Sequence, residues 1–336
     1  MRQPFARLRT ILSSKELLDY AFGGAKKEAM KISTKLPKET MIRRKETTRI
    51  ETAGRAVAEK LQNVLGDMPQ LDDLPPLYRE LADIVADVQS LKKNLGALNW
   101  AALTVGNIAK SYSRRARFAD GIEEASNARR SAYGRISSVI KQISGSLDYL
   151  RDSRSKLVKL PTFSTDLRTL VVAGYANVGK SSLVRQISSA KPEIASYPFT
   201  TKEIMVGHGR AEAGPYQVID TPGLLDRPLK NRNKYELQAI LALRYLANCI
   251  IFLLDPSETC GYTLEKQLNL YREIDVEFPD TPKIVALNKI DLSEKEAVER
   301  VKAIFPEVLS LSALKNEGVK EVLEAALSKA ENLNLG

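Results

Sequence analysis

Residues 174–181 read Gly174-Tyr175-Ala176-Asn177-Val178-Gly179-Lys180-Ser181, with Ser182 and Leu183 next. The spacing is G-x-x-x-x-G-K-[ST]. An apolar run, Thr169–Ala173, precedes it, and a helix-like pattern opens at Ser181, which is the strand–loop–helix setting a phosphate-binding loop needs. Glycines let such a loop curl so that its N–H groups point inward at phosphate oxygens. The following helix N-terminus adds partial positive charge. In this reading the whole stretch Gly174–Ser182 binds the nucleotide. Lys180 meets the β- and γ-phosphates, and the Ser181 hydroxyl is a Mg²⁺ ligand.

Three further stretches follow in order. Asp220-Thr221-Pro222-Gly223 ends the strand-like run Gln217–Ile219. A carboxylate there can hold Mg²⁺ through a water, and the Gly223 amide can approach the γ-phosphate closely. Asn288-Lys289-Ile290-Asp291 follows the run Ile284–Leu287. The Asp291 carboxylate can accept from guanine N1–H and the 2-amino group, which adenine cannot match, so a wrong base leaves a buried acceptor unpaired. Ser312-Ala313-Leu314 follows Val308–Leu311 and can offer a backbone donor to guanine O6. Between the first two stretches lies Pro198-Phe199-Thr200-Thr201, where Thr201 is the expected Mg²⁺ ligand of an order–disorder switch. Each stretch alone is weak evidence. Four in sequence, each after a strand, point to a guanine-nucleotide site using GTP/GDP and Mg²⁺.

Outward from this core, strand-like and helix-like runs alternate from about residue 168 to the end. That pattern predicts a mostly parallel sheet flanked by helices, and with the four ordered motifs it makes 168–336 an expected Ras-like P-loop GTPase domain. Residues 1–160 read differently. Leu77, Leu81, Ile84, Val85, Val88 and Leu91 recur at three- and four-residue steps after Pro75-Pro76, and Leu98, Val105, Ile108 and Tyr112 continue the pattern. Ile136, Ile140, Ile143, Leu147, Leu150 and Leu157 form the clearest stripe. The expectation is α + α/β: an N-terminal antiparallel helical bundle over 1–160, a linker over 161–167, then the nucleotide domain.

Of 336 residues, 43% are hydrophobic and 6% aromatic, and the net charge is +10. Residues 1–165 carry +12 and the remainder −2. Such asymmetry suggests a polyanionic partner for the first half, nucleic acid foremost. The basic clusters are Lys26-Lys27, Arg43-Arg44-Lys45, Arg114-Arg115 with Arg117, Arg129-Arg130, and Arg151, Arg154, Lys156 and Lys159. The alternative for each is a solvated helix face. No apolar run is long enough to span a bilayer and no lipidation motif is present, so a membrane partner and export are not expected. Two cysteines, Cys249 and Cys260, make neither a disulfide framework nor a zinc spacing. They fit a reduced, cytoplasmic setting. With the single histidine, His208, in a strand-like run, histidine catalysis is not expected.

The chain resembles the Obg-related branch of the translation-factor-like GTPases. More closely, it resembles the nucleolar GTP-binding protein (Nog) family in its short archaeal form. The resemblance rests on the phosphate-loop stretch through Ser182, Tyr197-Pro198-Phe199-Thr200-Thr201-Lys202, Val206-Gly207-His208, and Asp220-Thr221-Pro222-Gly223-Leu224-Leu225-Asp226. In the first half Pro69-Gln70-Leu71-Asp72-Asp73-Leu74 and Leu160-Pro161-Thr162 also match. It implies GTP hydrolysis in biogenesis of the large ribosomal subunit, with the helical domain on ribosomal RNA or precursor particles and a monomer off the ribosome. Nucleolar placement would follow only for a eukaryotic chain. Alternatives are an RNA-binding scaffold with incidental hydrolysis, or a GTPase regulating mature ribosomes or tRNA. Leu224 stands where Ras-type enzymes carry the glutamine that orients water. Related GTPases with an apolar residue there use a phosphate-loop asparagine to hold K⁺, which singles out Asn177. Lys180, Thr201, Gly223 and Asn177 are therefore the expected catalytic set, with slow intrinsic hydrolysis.

Overall fold

The computed structural model describes residues 3–164, 166–189, 191–196, 203–221, 225–228, 232 and 234–331. Thr201, Pro222, Gly223 and Leu224 lie outside them, as does the rest of 197–202. The described chain forms two compact units.

One unit, Phe5–Asp73 with Val85–Val158, is helical. Its helices are α1 (Ser14–Met30), α2 (Lys38–Asp67), α4 (Val88–Arg117), α5 (Ile122–Gln142) and α6 (Ser144–Leu157). A capping box starts α1: the Ser13 hydroxyl accepts from the Glu16 amide, and Glu16 accepts from the Ser13 amide at 2.8 Å. Ile50, Ala109, Tyr112, Ala116, Ala128 and Ala132 share one apolar cluster. Alanine and glycine let α2 and α4 approach closely. A Cβ on Gly54 would stand 2.3 Å from that of Ala109. The expected stripe from Ile136 to Leu157 is buried throughout. It is not one helix, however: Ile143 (φ −94°, ψ 9°) interrupts it between α5 and α6.

The second expected stripe divides as well. Helix α3 (Pro76–Ala86) ends at Asp87, which adopts φ 45° and caps α4 by accepting from the amides of Gln89 and Ser90. Leu77 and Leu81 belong, with Leu74–Ile84, to the unit of the sheet rather than to the helical one. Periodicity cannot show this, because apolar spacing says which face is buried and not against what. The Tyr78 hydroxyl accepts from the Phe163 amide at 2.9 Å and donates to the Pro161 carbonyl at 3.0 Å. The Gln217 side chain meets both the N–H and the C=O of Ser164. Residues 161–164 of the expected linker are thus fixed to the sheet unit.

That sheet has, among the described residues, seven strands: β1 (Arg168–Ala173), β2 (Glu193–Ser196), β3 (Glu203–Ala211), β4 (Gly214–Asp220), β5 (Cys249–Leu254), β6 (Lys283–Leu287) and β7 (Leu309–Ser310). Their order is β2-β3-β4-β1-β5-β6-β7. Only β3 runs against its neighbours. The helices α7 (Lys180–Ile187), α8 (Lys234–Ala242), α9 (Leu264–Glu277), α10 (Lys295–Ile304) and α11 (Val319–Glu331) complete the unit. Strand β5 is buried at all six positions, as a central parallel strand requires. The expected order of a helical domain followed by a mostly parallel α/β domain is what the chain adopts. Because β1 lies between β4 and β5, the connection from β1 to β2 runs to one side of it and the connection from β4 to β5 crosses to the other. Such a switch point at strand C-termini is where open α/β sheets bind ligands. No helix of the described residues is long and apolar enough to cross a membrane.

Candidate functional site: a curled loop at the end of the central strand

The loop after β1 turns on three residues in the left-handed region: Gly174 (φ 134°), Asn177 (φ 64°) and Gly179 (φ 102°). Glycine is required at two of them for space as well as for angle. A Cβ on Gly174 would stand 2.5 Å from the Leu253 carbonyl oxygen, and one on Gly179 would stand 2.1 Å from Asn288 Nδ2. The Lys180 side chain is buried, and its ammonium donates to the carbonyls of Gly174 and Tyr175, each at 2.8 Å. The cation is thereby held inside the curl. Lys180 also opens α7, so the helix N-terminus faces the same space. A cleft of about 340 Å³ lies there, lined by Ala176, Asn177, Gly179, Lys180, Ser181, Ser182 and Asp226. Cation, amides and dipole make it suited to an anion.

Asp220 ends β4 beside this loop. Its side chain is fully buried, and the Ser181 hydroxyl donates to Oδ2. Its Oδ1 is buried with no hydrogen-bond partner among the described residues. Burial pushes the Asp220 carboxyl up, partly offset by the Ser181 hydrogen bond and the Lys180 charge. An orphaned carboxylate oxygen beside a hydroxyl is a donor set that fits a hard divalent cation such as Mg²⁺. The Thr221 hydroxyl donates to the Val172 carbonyl at 2.8 Å, which ties the turn after β4 to β1.

The third stretch is bonded directly to the first. Asn288 Nδ2 donates to the Val178 carbonyl at 2.7 Å, and Asn288 Oδ1 accepts from the Ala313 amide at 2.9 Å. One buried side chain thus ties the phosphate loop, the base motif and the last loop together. Lys289 follows in the left-handed region (φ 59°), then a 3₁₀ turn, Ile290–Leu292, carries Asp291. Partial desolvation pushes the Asp291 carboxyl up, but hydrogen bonds from Ser312 and Lys315 outweigh it and leave the group below its ordinary value. The Ala313 amide is committed to Asn288, while Leu314 is widely exposed at 86%.

Sequence reasoning missed two pairs here. Asp226 lines the cleft and is paired with Arg232 at 3.4 Å. Asp255, at the end of β5, is fully buried and receives the Lys289 ammonium at 2.7 Å. Its only sequence signal was position: a carboxylate directly after an apolar strand, in the hydroxyl-rich run Asp255-Pro256-Ser257-Glu258-Thr259. In the helical unit several of the basic residues also have partners within the chain. Arg129 meets the buried Glu46 at 2.5 Å, Arg117 meets Glu51 at 2.9 Å, and Arg154 donates to the Leu8 carbonyl at 2.9 Å. Lys26, Lys27, Arg44, Arg114, Arg115 and Arg130 are exposed.

The profile of the NOG1 N-terminal helical domain matches residues 5–164, and that of nucleolar GTP-binding protein 1 (NOG1) matches residues 234–291. The chain belongs to the NOG1 family. It is 43% identical over 297 residues to the uncharacterized protein MJ1408 of Methanocaldococcus jannaschii, covering 88% of this chain and 83% of that one. It is 34% identical over 334 residues to nucleolar GTP-binding protein 1 of Drosophila melanogaster, covering 97% of this chain and 51% of the fly protein. The chain spans about half the length of that eukaryotic NOG1 protein. A solved structure of a NOG1 protein from Plasmodium falciparum is similar over 52% of this chain and 92% of that chain, at 34% identity and a TM-score of 0.46.

Proposed function

We propose that this NOG1 chain binds GTP and GDP with Mg²⁺ and hydrolyses GTP as a switch in large-subunit biogenesis. The observation carrying the nucleotide reading is the Asn288 tie. It joins the curl to the stretch that carries Asp291, which supports reading the two as one site. Lys180 and the loop amides bind the phosphates, and Ser181 with Asp220 would hold Mg²⁺. When bound, the metal supplies charge that offsets the developing negative charge on the transferred phosphoryl group. Asp291 reads the purine edge. Asn177, on the cleft wall, is the residue we assign to K⁺, where added positive charge would do the work of an arginine finger. Thr201 is assigned to Mg²⁺ and Gly223 to the γ-phosphate on their motif positions.

The ribosomal part of the reading rests on the +12 charge of residues 1–165, on the exposed cations named above, and on what the eukaryotic relatives are called. Lys and Arg at such positions follow phosphates by releasing counterions. Turnover measured with and without large-subunit particles, in K⁺ and then in Na⁺ at equal ionic strength, tests the switch. We expect a slow rate that rises on the particles and in K⁺. A second reading, an RNA-binding scaffold with incidental hydrolysis, is favoured by Leu224, which cannot orient water. Turnover that ignores the particles supports the scaffold. RNA crosslinked to residues 1–160 distinguishes precursor particles from mature ribosomes or tRNA.

A further inference from the structure

The second residue of the stretch Asn288–Asp291 adopts a conformation that lysine does not favour. Lys289 adopts φ 59°, ψ 34°, a left-handed geometry that costs a non-glycine residue energy and persists only where its surroundings enforce it. Everything downstream depends on it, because the 3₁₀ turn carrying Asp291 starts at the next residue. Asn288 fixes the backbone before Lys289. The side chain of Lys289 is fixed from elsewhere in the chain.

Its ammonium donates to Asp255 Oδ2 at 2.7 Å and to Thr259 Oγ1 at 3.0 Å. Asp255 is itself fully determined. Oδ1 accepts from the Ser257 amide at 3.1 Å and from the Ser257 hydroxyl at 2.5 Å. Oδ2 also accepts from the Thr259 hydroxyl at 3.1 Å and the Cys260 amide at 2.8 Å. The Asp255 backbone is clamped by Gln267, which accepts from its N–H at 2.7 Å and donates to its C=O at 3.0 Å. Burial pushes the Asp255 carboxyl up, but Lys289 and Ser257 more than offset this and keep it ionised. A buried carboxylate with this many donors is rigid, and rigidity is what a pre-organised recognition site needs. The same loop reaches the phosphate side. The Tyr262 ring stacks on that of Tyr175 in the phosphate loop, with centroids 4.2 Å apart.

We propose that Asp255, with Thr259, is a positioning residue for purine recognition, holding Lys289 in its left-handed conformation so that Asp291 is set before the base arrives. This rests on the guanine-nucleotide reading above. The carboxylate touches no ligand in this assignment; its effect passes through Lys289 to Asp291.

The test compares two ligands on the purified full chain, GDP and inorganic triphosphate, each with Mg²⁺. Triphosphate uses the curl alone. In Asp255→Asn the ammonium faces an amide instead of a carboxylate, and GDP affinity is expected to fall about tenfold or more. Triphosphate affinity is expected to stay within about twofold, a difference at the level of noise in such a comparison. Thr259 is exposed, so Thr259→Val keeps the fold and serves as the milder variant, with a smaller loss confined to GDP. Equal losses for both ligands in Thr259→Val would mean that the loop acts only on overall stability, and would overturn the proposal. So would unchanged GDP affinity in either variant. If the unaltered chain bound triphosphate but not GDP, the guanine-nucleotide reading itself would fail, and the two failures are thereby distinguished.

Discussion

Asn288 Nδ2 stands 2.7 Å from the Val178 carbonyl oxygen, a hydrogen bond spanning 110 residues of sequence between the loop after β1 and the turn after β6. The same side chain accepts from the Ala313 amide. Asn288→Ala therefore strands a buried carbonyl and a buried amide together. Unfolding by denaturant should show a loss of about 1–3 kcal/mol. Nucleotide affinity should fall further than stability, because phosphate loop and base motif lose their common frame. A variant with normal nucleotide binding would contradict that coupling.

Gly179 tests the same contact from the other side. Its φ of 102° is strained for any L side chain, and an added Cβ would meet Asn288 Nδ2. Gly179→Ala should cost about 1–3 kcal/mol and displace Asn288. In contrast, Gly261 is also left-handed, but a Cβ added there would meet open space. Gly261→Ala should lose stability from backbone strain alone, without a steric clash. Thermal melts with and without GDP check both.

Much of this site was readable from spacing, for a physical reason. A phosphate loop must place glycines where the backbone reverses, and a strand must precede it. Both constraints are local, and both appear in Gly174–Ser181. The strand runs from Thr169 to Leu311 were legible too, because buried parallel strands are nearly continuous apolar runs. β2 was not, since Glu193–Ser196 is short, lies toward the sheet edge and has no apolar alternation. The breaks at Asp87 and Ile143 interrupt helices without interrupting the apolar period, so periodicity reads across them. Asp255 and Lys289, 34 residues apart, meet only through tertiary structure. A single sequence offers no local sign of such a pair.

Cys249 supplies a prediction about pH. Burial at the start of β5 pushes its thiol up to about 12, from an ordinary 9.0. The folded chain therefore holds the proton more tightly than the unfolded chain. That stabilisation is complete below pH 9 and is lost as pH rises toward 12, at up to about 1.4 kcal/mol per pH unit. Cys249→Ala should remove this part of the alkaline slope in denaturant titrations. Alkylation at pH 8 should also spare Cys249 until the protein unfolds, since the thiolate is the reactive form.

Close packing in the helical unit gives an independent check on that domain. Gly54 leaves room for Ala109 where α2 meets α4, and the Cβ atoms of an alanine pair would stand 2.3 Å apart. Gly54→Ala should destabilise the unit by about 1–3 kcal/mol despite alanine's better helix propensity. If propensity instead prevailed and the melting temperature rose, the described packing of α2 on α4 would be wrong.

Base identity is assigned to one carboxylate. Asp291→Asn presents an amide donor in its place, which suits the 2-oxo group of xanthine. The variant should exchange preference for GDP for preference for xanthosine diphosphate. Retained GDP affinity would remove Asp291 from the recognition role.

The most direct measurement is calorimetric titration of the purified chain with GTP, GDP and ATP in the presence of Mg²⁺. A curl that holds phosphates beside a carboxylate that reads guanine predicts one site per chain, with both guanine nucleotides at least about a hundredfold tighter than ATP. ATP binding as tightly as GTP, or no heat from any of the three, would contradict it.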